Sequence, residues 1–133
     1  MNNRKKTGNL GESLAVEFLE NKGHEILARQ YKTIYGEVDI VSHANKTLHF
    51  VEVKTVNIPK NGVFKGKVSR ETYIKPEENV TREKVSRIID TSCMFMEEFG
   101  LVNEVGQIDL VCIYLPKGHS KRHYIKYLEN INF

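Results

Sequence analysis

Four charged side chains in two neighbouring segments have the types and spacing needed to hold a divalent cation beside a phosphodiester. Glu37 and Asp39 are two positions apart, and so are Glu52 and Lys54. Side chains two apart on a β-strand share a face, so Glu37 and Asp39 are predicted on one face of their segment, with Val38 and Ile40 on the other, and Glu52 and Lys54 share a face of theirs. Carboxylate oxygens are ligands that Mg²⁺ and Mn²⁺ prefer, and a neighbouring lysine can orient water or stabilise a pentacovalent phosphate. We predict Asp39 and Glu52 as metal ligands, with Glu37 beside them and Lys54 as the cationic catalytic group.

The two segments are predicted to form a β-hairpin. If residues 45 and 46 make a two-residue turn, the residue numbers of each pair across the hairpin add up to 91. This register places Asp39 opposite Glu52 and Glu37 opposite Lys54. Directly opposed Cβ atoms lie about 4.5–5.5 Å apart, so the two carboxylates repel each other unless a cation lies between them. The same pattern also fits a hairpin with one solvated face, in which Glu37 and Lys54 form an ordinary cross-strand ion pair.

Hydrophobic periodicity predicts the elements that carry these residues. A first helix is predicted after a cap at Asn9, followed by strands over residues 25–31, 36–41 and 48–56. A second helix is predicted over residues 81–99, and its buried stripe is predicted as Val85, Ile88, Ile89, Ser92, Met96 and Phe99. A strand over 108–115 follows, and the tail at 122–128 alternates enough for one more. The order αβββαβ predicts an α/β protein whose mixed sheet is flanked by helices.

A long basic segment separates the third strand from the second helix. Residues 57–79 are predicted to form a loop, and loops longer than about 12–15 residues are usually functional or disordered. Its side chains Lys65, Lys67 and Arg70, together with Lys84 on the second helix, are candidates for contacts with nucleic-acid phosphates. Lysines also keep small domains in solution without binding anything, so both interpretations stay open.

Composition sets the broad class of protein. The chain has 133 residues and a net charge of +3, which fits one domain and permits a nucleic-acid partner without demanding one. There is no apolar run of about 18 residues and no apolar segment behind the N-terminus, which predicts a cytoplasmic protein without a membrane span. Cys93 and Cys112 lie in apolar stretches and are predicted to be buried thiols. The five histidines match no ligand spacing and are predicted at the surface.

Two further acidic residues have more than one interpretation. Glu12 lies three residues after Asn9, the spacing of a capping box, but it also lies near the edge of the helix's apolar stripe and could point toward the sheet. Asp109 lies in a segment, residues 106–111, that echoes residues 36–41. No Glu-x-Lys follows Asp109, so we predict a structural role for it.

The order of these motifs resembles a known family. Residues 36–41 (Gly-Glu-Val-Asp-Ile-Val) and 50–55 (Phe-Val-Glu-Val-Lys-Thr), preceded by a Gly-Glu pair at 11–12, are similar to the YraN-like family of uncharacterised predicted bacterial endonucleases. That family resembles the PD-(D/E)XK nuclease superfamily, with Asp39 at the aspartate position and residues 52–54 at the acidic-x-lysine position. The segment at 57–79 departs from the family pattern because it is longer and richer in lysine.

The resemblance has specific implications. It implies a restriction-endonuclease-like core similar to archaeal Holliday-junction resolvases, and a cut in DNA that depends on Mg²⁺ or Mn²⁺. It also implies that Glu12 is a helix-borne member of the catalytic site. If the analogy with resolvases holds, symmetric cutting of two strands calls for a homodimer. Two other functions remain open: a catalytically silent nucleic-acid-binding module, and a protein–protein adaptor that uses the loop at 57–79.

Overall fold

The computed structural model describes residues 3–58, 81–116 and 122–131. These ranges form two helices and five strands: α1 (Asn3–Asn21), β1 (Glu25–Thr33), β2 (Gly36–Ala44), β3 (Thr47–Ile58), α2 (Arg82–Glu98), β4 (Val105–Pro116) and β5 (Tyr124–Leu128). The order of elements agrees with the prediction, including the additional strand at the end. None of the helices in the described ranges is long and apolar enough to cross a membrane.

The five strands form one mixed sheet in the order β1-β2-β3-β4-β5. The first three strands are antiparallel neighbours, β3 and β4 are parallel, and β5 returns antiparallel to β4. A parallel pair needs a crossover connection, and α2 lies in the one between β3 and β4. This is the predicted mixed sheet flanked by helices, and it is consistent with a restriction-endonuclease-like core.

The hairpin of β2 and β3 has the predicted register. Asn45 and Lys46 have φ angles of 51° and 63°, as in a two-residue type I′ turn. Pairing runs from Ala44 opposite Thr47 to Ile40 opposite Val51. Asp39 and Glu52 directly follow this last pair, and their side chains interact with each other.

The sheet has an apolar core on each face. On one face, Ala15 and Leu19 of α1 pack with Ile40 and Val51. On the other face, Ile88 and Phe95 of α2 pack with Phe50 and its neighbours. The central strands are therefore covered on both sides, which fixes their side chains firmly relative to the two helices.

One predicted alternation fails within β2. Val38 packs on the α2 side with Phe50, whereas Ile40 packs on the α1 side with Val51. The prediction that Val38 and Ile40 share a face is wrong, because β2 departs from regular pleating at Asp39. The neighbouring strand is irregular at the same level, where Gln30 has a φ of 50°.

Other local predictions are also corrected. Helix α1 begins at Asn3, so Asn9 lies inside it and cannot be its N-cap. The buried residues of α2 are Val85, Ile88, Thr91, Ser92 and Phe95. Ile89 and Phe99 are 47% and 53% exposed, because the buried stripe lies further around the helix than predicted. Cys112 is buried, but Cys93 lies on the exposed side of α2.

The predicted loop at 57–79 begins two residues too early. Asn57 and Ile58 are the last residues of β3, where they pair with Leu115 and Pro116 of β4. The remainder of that segment lies outside the described residues, as do Lys65, Lys67 and Arg70.

Candidate functional site

The centre of the candidate site is the carboxyl pair of Asp39 and Glu52, on adjacent strands. Their side chains hydrogen-bond to each other, and Asp39 Oδ2 also accepts the backbone N–H of Val53 at 2.8 Å. Two ionised carboxylates cannot share a hydrogen bond, because neither has a proton to donate. A proton or a cation shared by the two groups therefore favours this arrangement over two bare anions.

Burial and mutual repulsion destabilise the charged forms of both acids. Burial is the largest cause of the raised pKa of Asp39, and the nearby charges of Glu12 and Glu37 raise it further. Burial also raises the pKa of Glu52, followed by the charge of Asp39, while the charge of Lys84 opposes this shift. A divalent cation held by both groups would favour both anions.

A polar cleft opens beside this pair. It has a volume of about 590 Å³ and lies between the start of α1 and the edges of β1, β2 and β3. Its lining residues are Gly8, Asn9, Glu12, Gln30, Glu37, Asp39, Val53, Lys54, Thr55 and Asn57. Four of the five predicted catalytic residues thus meet in one cleft. The fifth, Glu52, is not in the lining, but its carboxyl group interacts with that of Asp39.

The donor set fits Mg²⁺ or Mn²⁺. Mg²⁺ is usually bound by only one or two protein carboxylates, and water and substrate phosphate complete its octahedron. Asp39 and Glu52 supply two such oxygens, and the adjoining cleft has room for both water and a phosphate.

Glu12 belongs to this site and is held there by two donors. Its side chain is buried, with 6% of the residue exposed. Arg29 Nε donates to Glu12 Oε1 at 2.9 Å, and Gln30 Nε2 donates to Oε2 at 3.3 Å. The capping-box interpretation is wrong, because α1 begins nine residues before Glu12. No spacing pattern in the sequence indicates that these two donors meet Glu12.

Two lysines near the candidate site, Lys54 and Lys84, lie on different elements, β3 and α2. Lys54 is exposed at the wall of the cleft. Lys84 is exposed in the first turn of α2, where its backbone N–H donates to Thr81 Oγ1 at 3.1 Å. Because Lys84 acts electrostatically on Glu52, it lies close enough to contribute positive potential at the site.

A second polar cluster, around Asp109, lies on the α1 side of the sheet. Asp109 is fully buried and accepts four hydrogen bonds. They come from His49 Nδ1 at 2.6 Å, the Tyr127 hydroxyl at 2.5 Å, Gln107 Nε2 at 2.8 Å and the Asn130 backbone N–H at 2.9 Å. Through these hydrogen bonds the cluster connects β3, β4, β5 and the segment after β5.

His49 was predicted at the surface, and that prediction is wrong. His49 is 5% exposed, since it shares a face of β3 with Val51, and that face lies under α1. The sequence does contain a signal for this burial, because His49 lies two positions before the apolar Val51 and residues two apart on a strand share a face. His24, also predicted at the surface, is half-buried and hydrogen-bonds to Ser42 Oγ at 2.8 Å.

The Asp109 cluster resembles a metal site only superficially. His49, Asp109 and Glu129 offer ligand atoms within 4.8 Å of one another. A carboxylate has about four lone-pair sites, and the four donors around Asp109 occupy them. A cation would have to displace hydrogen bonds that are already formed, so we assign Asp109 a structural role.

Removing one of these donors should destabilise the protein. Tyr127→Phe deletes the hydroxyl that donates a hydrogen bond to Asp109, so the buried Asp109 carboxylate has one fewer donor. We expect a loss of about 1.5 kcal/mol in the free energy of unfolding. Urea denaturation measures it, with Tyr35→Phe as an exposed control expected to change nothing. Equal stability of both variants would show that the hydroxyl does not contribute to the cluster.

Comparison with known proteins identifies similar chains. A protein-family model described as "Uncharacterised protein family UPF0102" matches residues 11–113, a range that includes all five predicted catalytic residues. A UPF0102 protein of Sulfurihydrogenibium sp. is 32% identical over 92% of this chain and 90% of the relative. A UPF0102 protein of Campylobacter jejuni is 32% identical over 95% and 93%, and one of Campylobacter lari is 34% identical over 92% and 90%. None of these names states an activity.

Proposed function

Because this chain belongs to the uncharacterised protein family UPF0102, whose name gives no activity, we propose a function from the site itself: metal-dependent hydrolysis of phosphodiester bonds in nucleic acid, with DNA as the substrate. The observation that carries the proposal is the partly buried Asp39–Glu52 pair, whose raised pKa values disfavour two anions without a cation. A cationic side chain, Lys54, lies in the adjoining cleft.

Each described residue has a specific role in this proposal. Asp39 and Glu52 hold Mg²⁺ or Mn²⁺, which when bound supplies a Lewis acid and lowers the pKa of water. Lys54 orients the attacking water or stabilises the negative charge that develops on the phosphate. Glu37 and Glu12 line the same cleft and accept hydrogen bonds from water there. No side chain acts as nucleophile, since water attacks the phosphorus.

Binding of the nucleic-acid backbone is assigned to basic side chains. Lys84 lies near Glu52 and is exposed, so it can reach a phosphate at the site. Lys65, Lys67 and Arg70, outside the described residues, are proposed as further contacts on the basis of their sequence. Such contacts make binding strongly dependent on salt and tolerant of base sequence. Cutting of both strands of a duplex at one position calls for two copies of the chain.

The proposal predicts a lysine-dependent and metal-dependent nuclease. We expect cleavage of labelled single-stranded, duplex or four-way-junction DNA in Mg²⁺ or Mn²⁺, with EDTA abolishing it. Lys54→Ala should lower the cleavage rate by about 10²-fold, the usual effect of losing one preorganised charge-stabilising group. Lys46→Ala is the matched control, because this lysine lies at the turn end of the same hairpin and should leave the rate unchanged.

Other results would select a different function. Salt-sensitive binding of DNA without cleavage, equal in wild type and Lys54→Ala, would support the silent nucleic-acid-binding module. Neither binding nor cleavage of any of the three DNA substrates would contradict the proposal and favour the protein–protein adaptor.

A further inference from the structure

Two consecutive residues of β1 contact the same carboxylate. Arg29 donates to one oxygen of Glu12 at 2.9 Å and Gln30 donates to the other at 3.3 Å. In a regular strand, consecutive side chains point to opposite faces of the sheet and cannot meet at one group. The local backbone must therefore depart from a regular strand.

The departure is located at Gln30. This residue has a φ of 50°, in the left-handed region that side chains other than glycine rarely adopt. Arg29 pairs with Ile40, which packs under α1, and Tyr31 pairs with Val38, which packs under α2. Gln30 thus lies level with Asp39, at the point where both strands change the face that they present.

A left-handed backbone is strained at a residue other than glycine, because its Cβ atom then lies too close to the following carbonyl oxygen. Such strain persists where surrounding structure enforces it, and it is concentrated at functional sites. Here it turns the Gln30 amide toward the cleft that Glu12 and Asp39 line. Each donor uses one lone-pair site on a different oxygen of Glu12, and within the part of the chain that the structure describes one site on each oxygen has no donor.

We propose that Gln30 and Arg29 are positioning residues that hold Glu12 in place for the metal site, and that the strained backbone of Gln30 exists for this purpose. This role rests on the proposed metal-dependent function. Glu12 lies within electrostatic reach of Asp39, so a fixed Glu12 carboxylate strengthens the attraction for a divalent cation. It also offers oriented acceptors to the water that such a cation keeps.

The role predicts that stability and metal affinity respond differently to one substitution. Gln30→Gly relieves the left-handed strain and removes the amide donor. We expect its melting temperature to equal or exceed that of wild type by up to about 4 °C, while the Kd for Mn²⁺ rises about tenfold. Gln30→Ala keeps the strain and also loses the donor, so it should weaken Mn²⁺ binding equally but lower the melting temperature.

Isothermal titration with Mn²⁺ and thermal unfolding of the metal-free protein measure both quantities. Arg29→Lys, which keeps the charge with one donor group, should recover part of the affinity that Arg29→Ala loses. Glu25→Gln is the control, because this exposed residue lies at the start of β1, away from the cleft. Wild-type affinity in Gln30→Gly and Arg29→Ala would overturn the positioning role alone. No binding of Mn²⁺ by wild type would overturn the metal-dependent function and this role together.

Discussion

Glu52→Gln is expected to stabilise the metal-free protein at about pH 8 while lowering the cleavage rate by about 10³-fold. Glutamine has nearly the shape of a protonated glutamic acid and can donate its amide to Asp39. It therefore keeps the hydrogen bond of the pair but removes the charge that burial and Asp39 disfavour. We expect the melting temperature at about pH 8 to rise by roughly 3–8 °C.

The sign of this effect follows from the raised pKa of Glu52. Its pKa is higher in the folded chain than in the unfolded chain, so the folded state binds more protons between the two values. Stability consequently falls as the pH rises through that interval, above the ordinary titration range of a glutamate. Wild type should lose stability between about pH 5 and about pH 8, and Mg²⁺ or Mn²⁺ should restore it at the higher pH.

Thermal unfolding at both pH values, with and without Mn²⁺, checks this prediction. Glu52→Gln should show a flatter pH dependence than wild type and little response to Mn²⁺. Glu17→Gln, an exposed residue of α1, should behave as wild type does. A lower melting temperature for Glu52→Gln than for wild type at about pH 8 would contradict the inference that the charge of Glu52 destabilises the folded protein, even if cleavage were lost.

Gly11→Ala is expected to cost about 3 kcal/mol of stability and to disturb the site as well. A Cβ atom at position 11 would lie 1.9 Å from Thr55 Oγ1 and 3.0 Å from Thr55 Cβ. Real Cβ atoms do not approach other atoms so closely, so α1 would have to move away from β3. The next residue is Glu12, and the same movement would draw its carboxylate away from Asp39.

Another glycine in the same helix provides the matched control. A Cβ at Gly8 would meet nothing within 4 Å, so Gly8→Ala should stabilise the helix by about 0.5–1 kcal/mol. Urea denaturation of both variants should therefore give changes of opposite sign. Thr55→Ala combined with Gly11→Ala should recover much of the loss, because the hydroxyl that clashes is then absent. Equal effects of alanine at positions 8 and 11 would contradict the close approach of α1 to β3.

Local patterns in the sequence determined the element order and the core of the site. The turn at residues 45–46 and the period-two spacing of the acids fix the register that brings Asp39 toward Glu52. These features depend on residues close together in the chain, so sequence reasoning could reach them. Membership of the family follows in the same way, because the motifs at 36–41 and 50–55 lie within the matched region.

Only the tertiary structure decided which side chains complete the site and the core. Glu12 accepts hydrogen bonds from Arg29 and Gln30, which are 17 and 18 positions away, because α1 packs against the sheet. His49 hydrogen-bonds to Asp109, 60 positions away, because β4 pairs in parallel with β3. Whether Cys93 is exposed depends on which side of α2 faces the sheet. Local patterns give the period of an element but not the packing against it. Gln30 is the clearest case, since its left-handed conformation runs against its own local preference and its amide contacts Glu12, 18 positions away.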